Sequence, residues 1–346
     1  MRVLVTGGAG FFGGVLKRRL LAEGHACTSF DVLPDPDEGL PGLTAVRGDV
    51  RDRAALEALG RFDAVFHCAA VLAHGSRRGL LSTNVEGTRN VAEAARRGGG
   101  PPLVFLSSNC VWASHYDRPV AEDEPPRPGE AYGKSKAAAE AILDGFAGDL
   151  PVAVLRVPTI LDEGRLGLLA ILFEFIDEGR RVWTVGRGAN RYQWLYAGDL
   201  AEACLKAAAH GRSDTFHLGA DDVGTLAEVL GSVLRRADTG ARLAHLPRRP
   251  AELALRAAHA LRLSPLGPYQ ARMISRSFVF DSFPARRASD LKRVLGWRPT
   301  LTNEEMLWRA YRYWRDHKEE IRARTGASAH RRGAPLGALR LVKWLS

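Results

Sequence analysis

The stretch Thr6-Gly7-Gly8-Ala9-Gly10-Phe11-Phe12-Gly13 decides the reading of this chain. It follows an apolar run, Arg2–Thr6, that reads as a buried strand, and it opens an apolar-striped segment, Gly13–Leu21, that reads as a helix. Glycines recur at positions 7, 10 and 13. At a strand-to-helix turn the first such glycine permits a sharp bend. The next lets backbone N–H groups approach a pyrophosphate, and the last lets helix and strand pack closely. The helix N-terminus adds partial positive charge for the phosphates. The turn therefore predicts a dinucleotide site, with Gly7, Gly10, Phe11, Phe12 and Gly13 against the ligand.

Outward from this turn, strands are expected at Cys27–Phe30, Thr44–Arg47, Ala64–His67, Leu103–Leu106 and Val152–Arg156. Helices are expected at Ala54–Leu59, Leu80–Arg97 and Tyr132–Phe146. This alternation is that of βαβ units around a parallel sheet, and several strands are apolar enough to be covered on both faces. Beyond residue 157 the alternation breaks. Gly167–Glu178 and Leu200–Ala209 read as helices, and Pro247–Pro268 is a basic, apolar-striped insertion bounded by prolines. The chain divides on this reading into a dinucleotide-binding domain (1–160), a substrate lobe with some returns to the sheet (161–320) and a basic tail (321–346).

The second strand leads to Asp31, a carboxylate placed to accept hydrogen bonds from the adenosine ribose hydroxyls, which favours NAD. Asp35, Asp37 and Glu38 follow with no Lys or Arg before Arg47, so a 2′-phosphate meets negative charge there and NADP is disfavoured. Asp49 and Val50, read as closing the third strand, are expected to frame the adenine. Ala69 and Ala70, after the fourth strand, are small enough to let backbone lie against the cofactor.

Tyr132-Gly133-Lys134-Ser135-Lys136 opens a helix, and Tyr132 and Lys136, four apart, share one helical face. A free phenol titrates near pH ~10. An ammonium a few ångströms away favours the phenolate and brings it into working range. Ser107-Ser108-Asn109 ends the fifth strand and offers a hydroxyl to the same substrate oxygen.

Together, Thr6–Gly13, Asp31, Gly48-Asp49-Val50, His67–Ala70, Asn84-Val85-Glu86-Gly87-Thr88, Ser107-Ser108 and Tyr132–Lys136 resemble the extended short-chain dehydrogenase/reductases. Within them the chain is most similar to the nucleotide-sugar epimerase/dehydratase group, over roughly residues 1–320. The resemblance implies an α/β fold, a Rossmann-like doubly wound parallel sheet with a smaller C-terminal substrate lobe. It implies Tyr132 as acid/base, Lys136 on the nicotinamide ribose and depressing the tyrosine pKa, Ser108 in the position of the catalytic serine, and Asn84 beside the NAD site. Ser108, Asn109 and Tyr132 would face the substrate. The helices after the fourth and fifth strands imply a homodimer.

The dehydratases of the group carry Thr-Asp-Glu where this chain has Ser108-Asn109-Cys110, and an amide cannot do the proton removal that expels water. The leading expectation is therefore epimerisation of a nucleotide sugar at C4, with NAD kept bound. A dehydrogenase or reductase of a sugar or other hydroxyl or ketone is the alternative, and a non-catalytic NAD-sensing regulator is the reading from a different class. Arg191 and Arg272 are candidates for a substrate phosphate, since a guanidinium pairs well with such oxygens, and Tyr192 is the alternative to Arg191 at the family's arginine position. Asp162-Glu163 stands where the family often has Gly-Pro, and Asp281–Leu291 is longer than usual.

The 346 residues, 46% hydrophobic and 25% charged, suit one large α/β domain plus a smaller lobe. Cys27, Cys68, Cys110 and Cys204 lie far apart without a CxxC pair, which speaks against a disulfide framework or structural zinc and suits a reducing cytoplasm. No metal is expected. The first strand leaves no room for a signal peptide, and no apolar run reaches the ~18 residues of a spanning helix. The net charge of +10 is uneven, with 24 Lys and Arg against 9 Asp and Glu from Arg235 onward. That C-terminal part suits a diphosphate or an anionic membrane surface, and no aromatic-interleaved basic motif points to nucleic acid. Leu336, Leu339, Val342 and Leu345, with Arg340 and Lys343 between them, form as a helix an apolar strip with a basic flank, the pattern of a peripheral membrane contact.

Overall fold

The computed structural model describes residues 1–73, 75–112, 118–121, 123–166, 169–251, 253, 275–280 and 294–323. Val3, Leu4, Val5 and Thr6 of β1 (Arg2–Thr6) are all buried, so this strand belongs in the interior of a sheet covered on both faces. It pairs in parallel with β2 (Ala26–Asp31) and, on its other side, β4 (Ala64–His67). β3 (Leu43–Arg47), β5 (Leu103–Ser108), β6 (Val152–Val157) and β10 (Asp214–His217) complete a seven-stranded parallel sheet in the order β10-β6-β5-β4-β1-β2-β3. The order reverses between β1 and β4, and the crevice outside their carboxyl ends is where such sheets bind ligands. One face is covered by α1 (Phe11–Ala22) and α7 (Ala197–His210). The other is covered by α2 (Arg53–Glu57), α4 (Gly87–Arg97) and α5 (Ala131–Asp144).

A second core lies beyond the carboxyl edge. It gathers α6 (Leu169–Asp177), α8 (Leu226–Ala237), α9 (Asn303–Asp316) and Ile321 of α10 (Lys318–Ala323) around Trp112, Phe173, Phe278, Phe280, Tyr311 and Trp314. Two small parallel pairs frame it, β7 (Thr159–Leu161) with β9 (Trp194–Tyr196), and β8 (Arg181–Val185) with β11 (Arg242–Leu246). β10 carries the chain back to the main sheet, beside β6.

The local readings differ from the structure in three places. β5 runs on to Ser108, because Ser107 and Ser108 are held in the ladder against β6. β3 ends at Arg47, so Asp49 and Val50 stand in the following turn. The single helix expected over Leu80–Arg97 is a wide π-helical segment, Leu80–Glu86, preceded by the short turn α3 (Arg77–Gly79) and followed by α4. Such segments often mark functional sites, and here Asn84 donates to Val71 C=O (3.0 Å) and accepts from Val71 N–H (2.7 Å). Among the described residues no helix is long and apolar enough to cross a membrane. Arg272, Asp281–Leu291, most of Pro247–Pro268 and the amphipathic tail fall outside the described residues.

Candidate active site

The glycine turn is built so that backbone touches backbone. Gly7 has φ +73°, and a Cβ there would stand 2.7 Å from Ala69 N; a Cβ at Gly13 would stand 2.1 Å from Gly7 O. Neither position admits a side chain, which leaves a bare cradle at the start of α1 in line with the β1–β4 crevice. Phe11 and Phe12 are buried in the core. Ala69 and Ala70, after β4, stay partly exposed beside it.

Asp31 at the end of β2 accepts hydrogen bonds from Ala9 N–H (3.1 Å) and Leu33 N–H (2.9 Å). Burial raises its pKa against the pull of those bonds. The acidic run after it is not the bare negative field expected. Lys17 of α1 is fully buried and pairs with Asp35 and, at 3.1 Å, with Asp37, while Arg18 reaches Asp37 at 2.8 Å. Burial works against the Asp35 charge, but hydrogen bonds from Lys17 and Ser29 carry its pKa below the usual carboxylate value. The Asp49 carboxylate holds Arg51 (Nε at 2.9 Å), and Val50 is buried. Arg51 lowers the Asp49 pKa.

Tyr132 and Lys136 lie on the first turns of α5, which packs directly on the turn after β5: a Cβ at Gly133 would meet Cys110 O at 1.9 Å. That close approach, for which Gly133 is needed, brings Tyr132 to Ser108. The π-helical segment is tied to the same place, with Asn84 Nδ2 donating to Ser135 Oγ (3.0 Å) and Ser135 Oγ to Tyr132 C=O (2.7 Å). Ser108 Oγ accepts from Cys110 N–H (3.2 Å) and donates to Asn109 Oδ1 (3.3 Å). Ser107 points elsewhere, to Glu140, which also pairs with Arg156 at 2.7 Å.

Burial dominates the electrostatics of both side chains. Lys136 Nζ donates to Leu106 C=O (2.7 Å) and lies 4.5 Å from the Phe105 ring centre, and burial pulls its pKa down to about 8. The Tyr132 phenol stands above its ordinary value because it is buried, with Cys110 adding to the rise. The Ser108 hydroxyl and the Arg165 guanidinium act the other way. Arg165 was not foreseen, because it lies 33 positions from Tyr132 in no recognisable motif.

The neighbouring side chains of Arg191 and Tyr192 part in the fold. Arg191 is exposed and donates to Val223 C=O, whereas the Tyr192 hydroxyl turns inward and accepts from Asn109 Nδ2 (3.0 Å) and Thr159 Oγ1 (3.4 Å). Tyr192, not Arg191, therefore joins Ser108, Asn109 and Tyr132. Among the described residues no three His, Cys, Asp or Glu side chains group as metal ligands, and all four cysteines are free thiols.

Residues 3–219 match the model of the NAD dependent epimerase/dehydratase family. The uncharacterized protein y4nG of Sinorhizobium fredii is 35% identical over 95% of this chain and 82% of its own length. A 3 beta-hydroxysteroid dehydrogenase/Delta 5-->4-isomerase of Mycobacterium tuberculosis is 33% identical over 60% of each chain, so this chain spans less than two thirds of that relative. Among solved structures, MoeE5 in complex with UDP-glucose and NAD superposes with a TM-score of 0.73 at 25% identity, covering 92% of this chain and 100% of that one.

Proposed function

Since the chain belongs to the NAD dependent epimerase/dehydratase family, whose enzymes are NAD-dependent, we propose that it epimerises a nucleotide sugar at C4 through a transient keto intermediate. The observation that carries this reading is the convergence of Tyr132, Ser108 and the Tyr192-bound amide of Asn109 at the carboxyl edge, next to a cradle that fits a dinucleotide. Gly7, Gly10, Gly13 and the backbone of Phe11 and Phe12 would hold the pyrophosphate. Asp31 would take the adenosine ribose, Asp49, Val50, Ala69, Ala70 and Asn84 would line the cofactor, and Lys136 would reach the nicotinamide ribose. NAD supplies a hydride acceptor that can return the hydride to the same carbon. Tyr132 removes the hydroxyl proton as the carbinol is oxidised and gives it back on reduction, with Ser108 hydrogen-bonded to the same oxygen. Asn109 has both ends of its amide engaged and no acidic proton to exchange, which sets dehydration aside. A homodimer in the cytoplasm, with the tail against a membrane, belongs to this proposal.

A second reading rests on the hydroxysteroid dehydrogenase likeness, which supports net oxidation of a hydroxyl by the same residues. Native mass spectrometry separates the two: retained NAD supports epimerisation, and cofactor-free protein that reduces a ketone with added NADH supports the reductase. The epimerase reading is tested by incubating the protein with UDP-, dTDP- and GDP-hexoses and following C4 isomers by NMR. Tyr132→Phe is expected to lower turnover by at least ~10³-fold while leaving NAD affinity within a few-fold. Full activity in Tyr132→Phe would remove the phenol from the mechanism.

A further inference from the structure

The Asp162-Glu163 departure acquires a consequence in the fold. After β7 the chain reads Asp162-Glu163-Gly164-Arg165, and both acids face Arg309 of α9, at 3.8 and 3.3 Å. Gly164, at φ +77°, then reverses the chain and aims Arg165 back toward the crevice. There Arg165 Nε donates to Ile160 C=O (3.1 Å), and its guanidinium carbon lies 5.8 Å from the ring centre of Phe11 in the glycine turn. Among the described residues no carboxylate lies within ion-pair distance of it, although Asp162 and Glu163 are its near neighbours in sequence. The turn assigns those two acids to Arg309 and leaves Arg165 without a counter-ion.

A partly buried guanidinium keeps its charge: burial pulls the Arg165 pKa down only to about 10, and the Tyr132 phenol is the group that holds it up. Taking such a charge out of water without a partner is unfavourable, and a guanidinium whose Nε is engaged still presents its remaining N–H groups to a planar or tetrahedral oxyanion. The place is bounded by Phe11 of the glycine turn on one side and by Tyr132 on the other. We propose that Arg165 is an oxyanion-binding residue of this crevice, receiving a negatively charged oxygen group of the bound ligand between Phe11 and Tyr132. That oxyanion has two sources, a cofactor phosphate approaching along the glycine turn or a carboxylate on the sugar whose reacting carbon meets Tyr132. The second source rests on the nucleotide-sugar reading, and the first does not.

The test is calorimetry on wild type, Arg165→Lys and Arg165→Met, each checked for an unchanged thermal unfolding profile. NAD affinity is measured first, then the affinities of the NAD-loaded proteins for UDP-glucose and UDP-glucuronic acid. A cofactor phosphate partner is shown by a tenfold or larger loss of NAD affinity in Arg165→Met, partly restored in Arg165→Lys. A sugar carboxylate partner is shown by a tenfold or larger preference of wild type for UDP-glucuronic acid over UDP-glucose that Arg165→Met abolishes at unchanged NAD affinity. If Arg165→Met leaves both NAD affinity and sugar preference within twofold of wild type, the proposal is overturned. Binding of neither UDP-sugar by wild type counts against the nucleotide-sugar reading, and NAD affinity alone then decides the role of Arg165.

Discussion

Lys136 is nearly inaccessible, and its ammonium is held by one carbonyl and one ring face. Its folded pKa of about 8 lies below the ordinary 10.5, so the protonated form is penalised in the folded protein. The penalty is complete below about pH 8 and fades as the pH rises toward 10.5. Lys136→Met is therefore expected to stabilise the cofactor-free protein at pH 7, by about 1–2 kcal/mol once the lost bond to Leu106 C=O is set against it. The difference from wild type should shrink by pH 10, while turnover falls at least ~100-fold. Thermal unfolding at the two pH values checks this. A variant less stable than wild type at pH 7 would show that the Leu106 bond outweighs the buried charge. His67 is the neutral counterpart: its ring lies between Thr6 Oγ1 (2.7 Å) and Thr88 Oγ1 (3.0 Å), and burial pushes its pKa down to about 3.

The turn between β1 and α1 was legible because its constraint is local. Glycines at fixed spacing, an apolar strand before them and an apolar stripe after them suffice to place it. What the spacing could not show is the partner each glycine avoids. Gly13→Ala drives a methyl into Gly7 O, a backbone atom with no rotamer to yield, so the turn must open. We expect a loss of about 2 kcal/mol or more in stability and at least a tenfold loss in NAD affinity, read by urea unfolding and calorimetry. Gly24→Ala is the control for NAD affinity, since nothing lies within 4 Å of its Cβ position, although its φ of +78° still adds strain. The π-helical segment was missed because its apolar pattern is that of an ordinary helix. Asn84, whose amide meets Val71 and Ser135, marks the wide turn.

Between the sheet and the second core a few buried polar groups hold the two together. Trp297 Nε1 donates to Asp199 C=O (2.8 Å), and the Asp199 carboxylate accepts from Thr300 N–H (2.8 Å) and Thr300 Oγ1 (2.6 Å). Asn303, at the start of α9, accepts from Trp194 N–H (3.2 Å) and donates to Tyr192 C=O (2.8 Å). Asn303→Ala removes both of these buried hydrogen bonds, a cost of about 2–4 kcal/mol. It also loosens the segment that carries the Tyr192 hydroxyl to Asn109. A lower denaturation midpoint together with a several-fold loss of turnover is expected; unchanged turnover would uncouple Tyr192 from the site.

Alternation of buried strands and amphipathic helices, the glycine spacing, and the four-residue step from Tyr132 to Lys136 are short-range patterns. Backbone geometry makes them readable along the chain, and they determined the parallel sheet, the glycine cradle and the shared helical face of Tyr132 and Lys136. Lys17 on Asp35, Tyr192 on Asn109 and Arg165 near Tyr132 are meetings between segments 18, 83 and 33 positions apart. Only the packing of elements against one another brings such side chains into contact. For that reason tertiary structure alone decided that Arg165 lies near the phenol and that the Tyr192 hydroxyl meets Asn109.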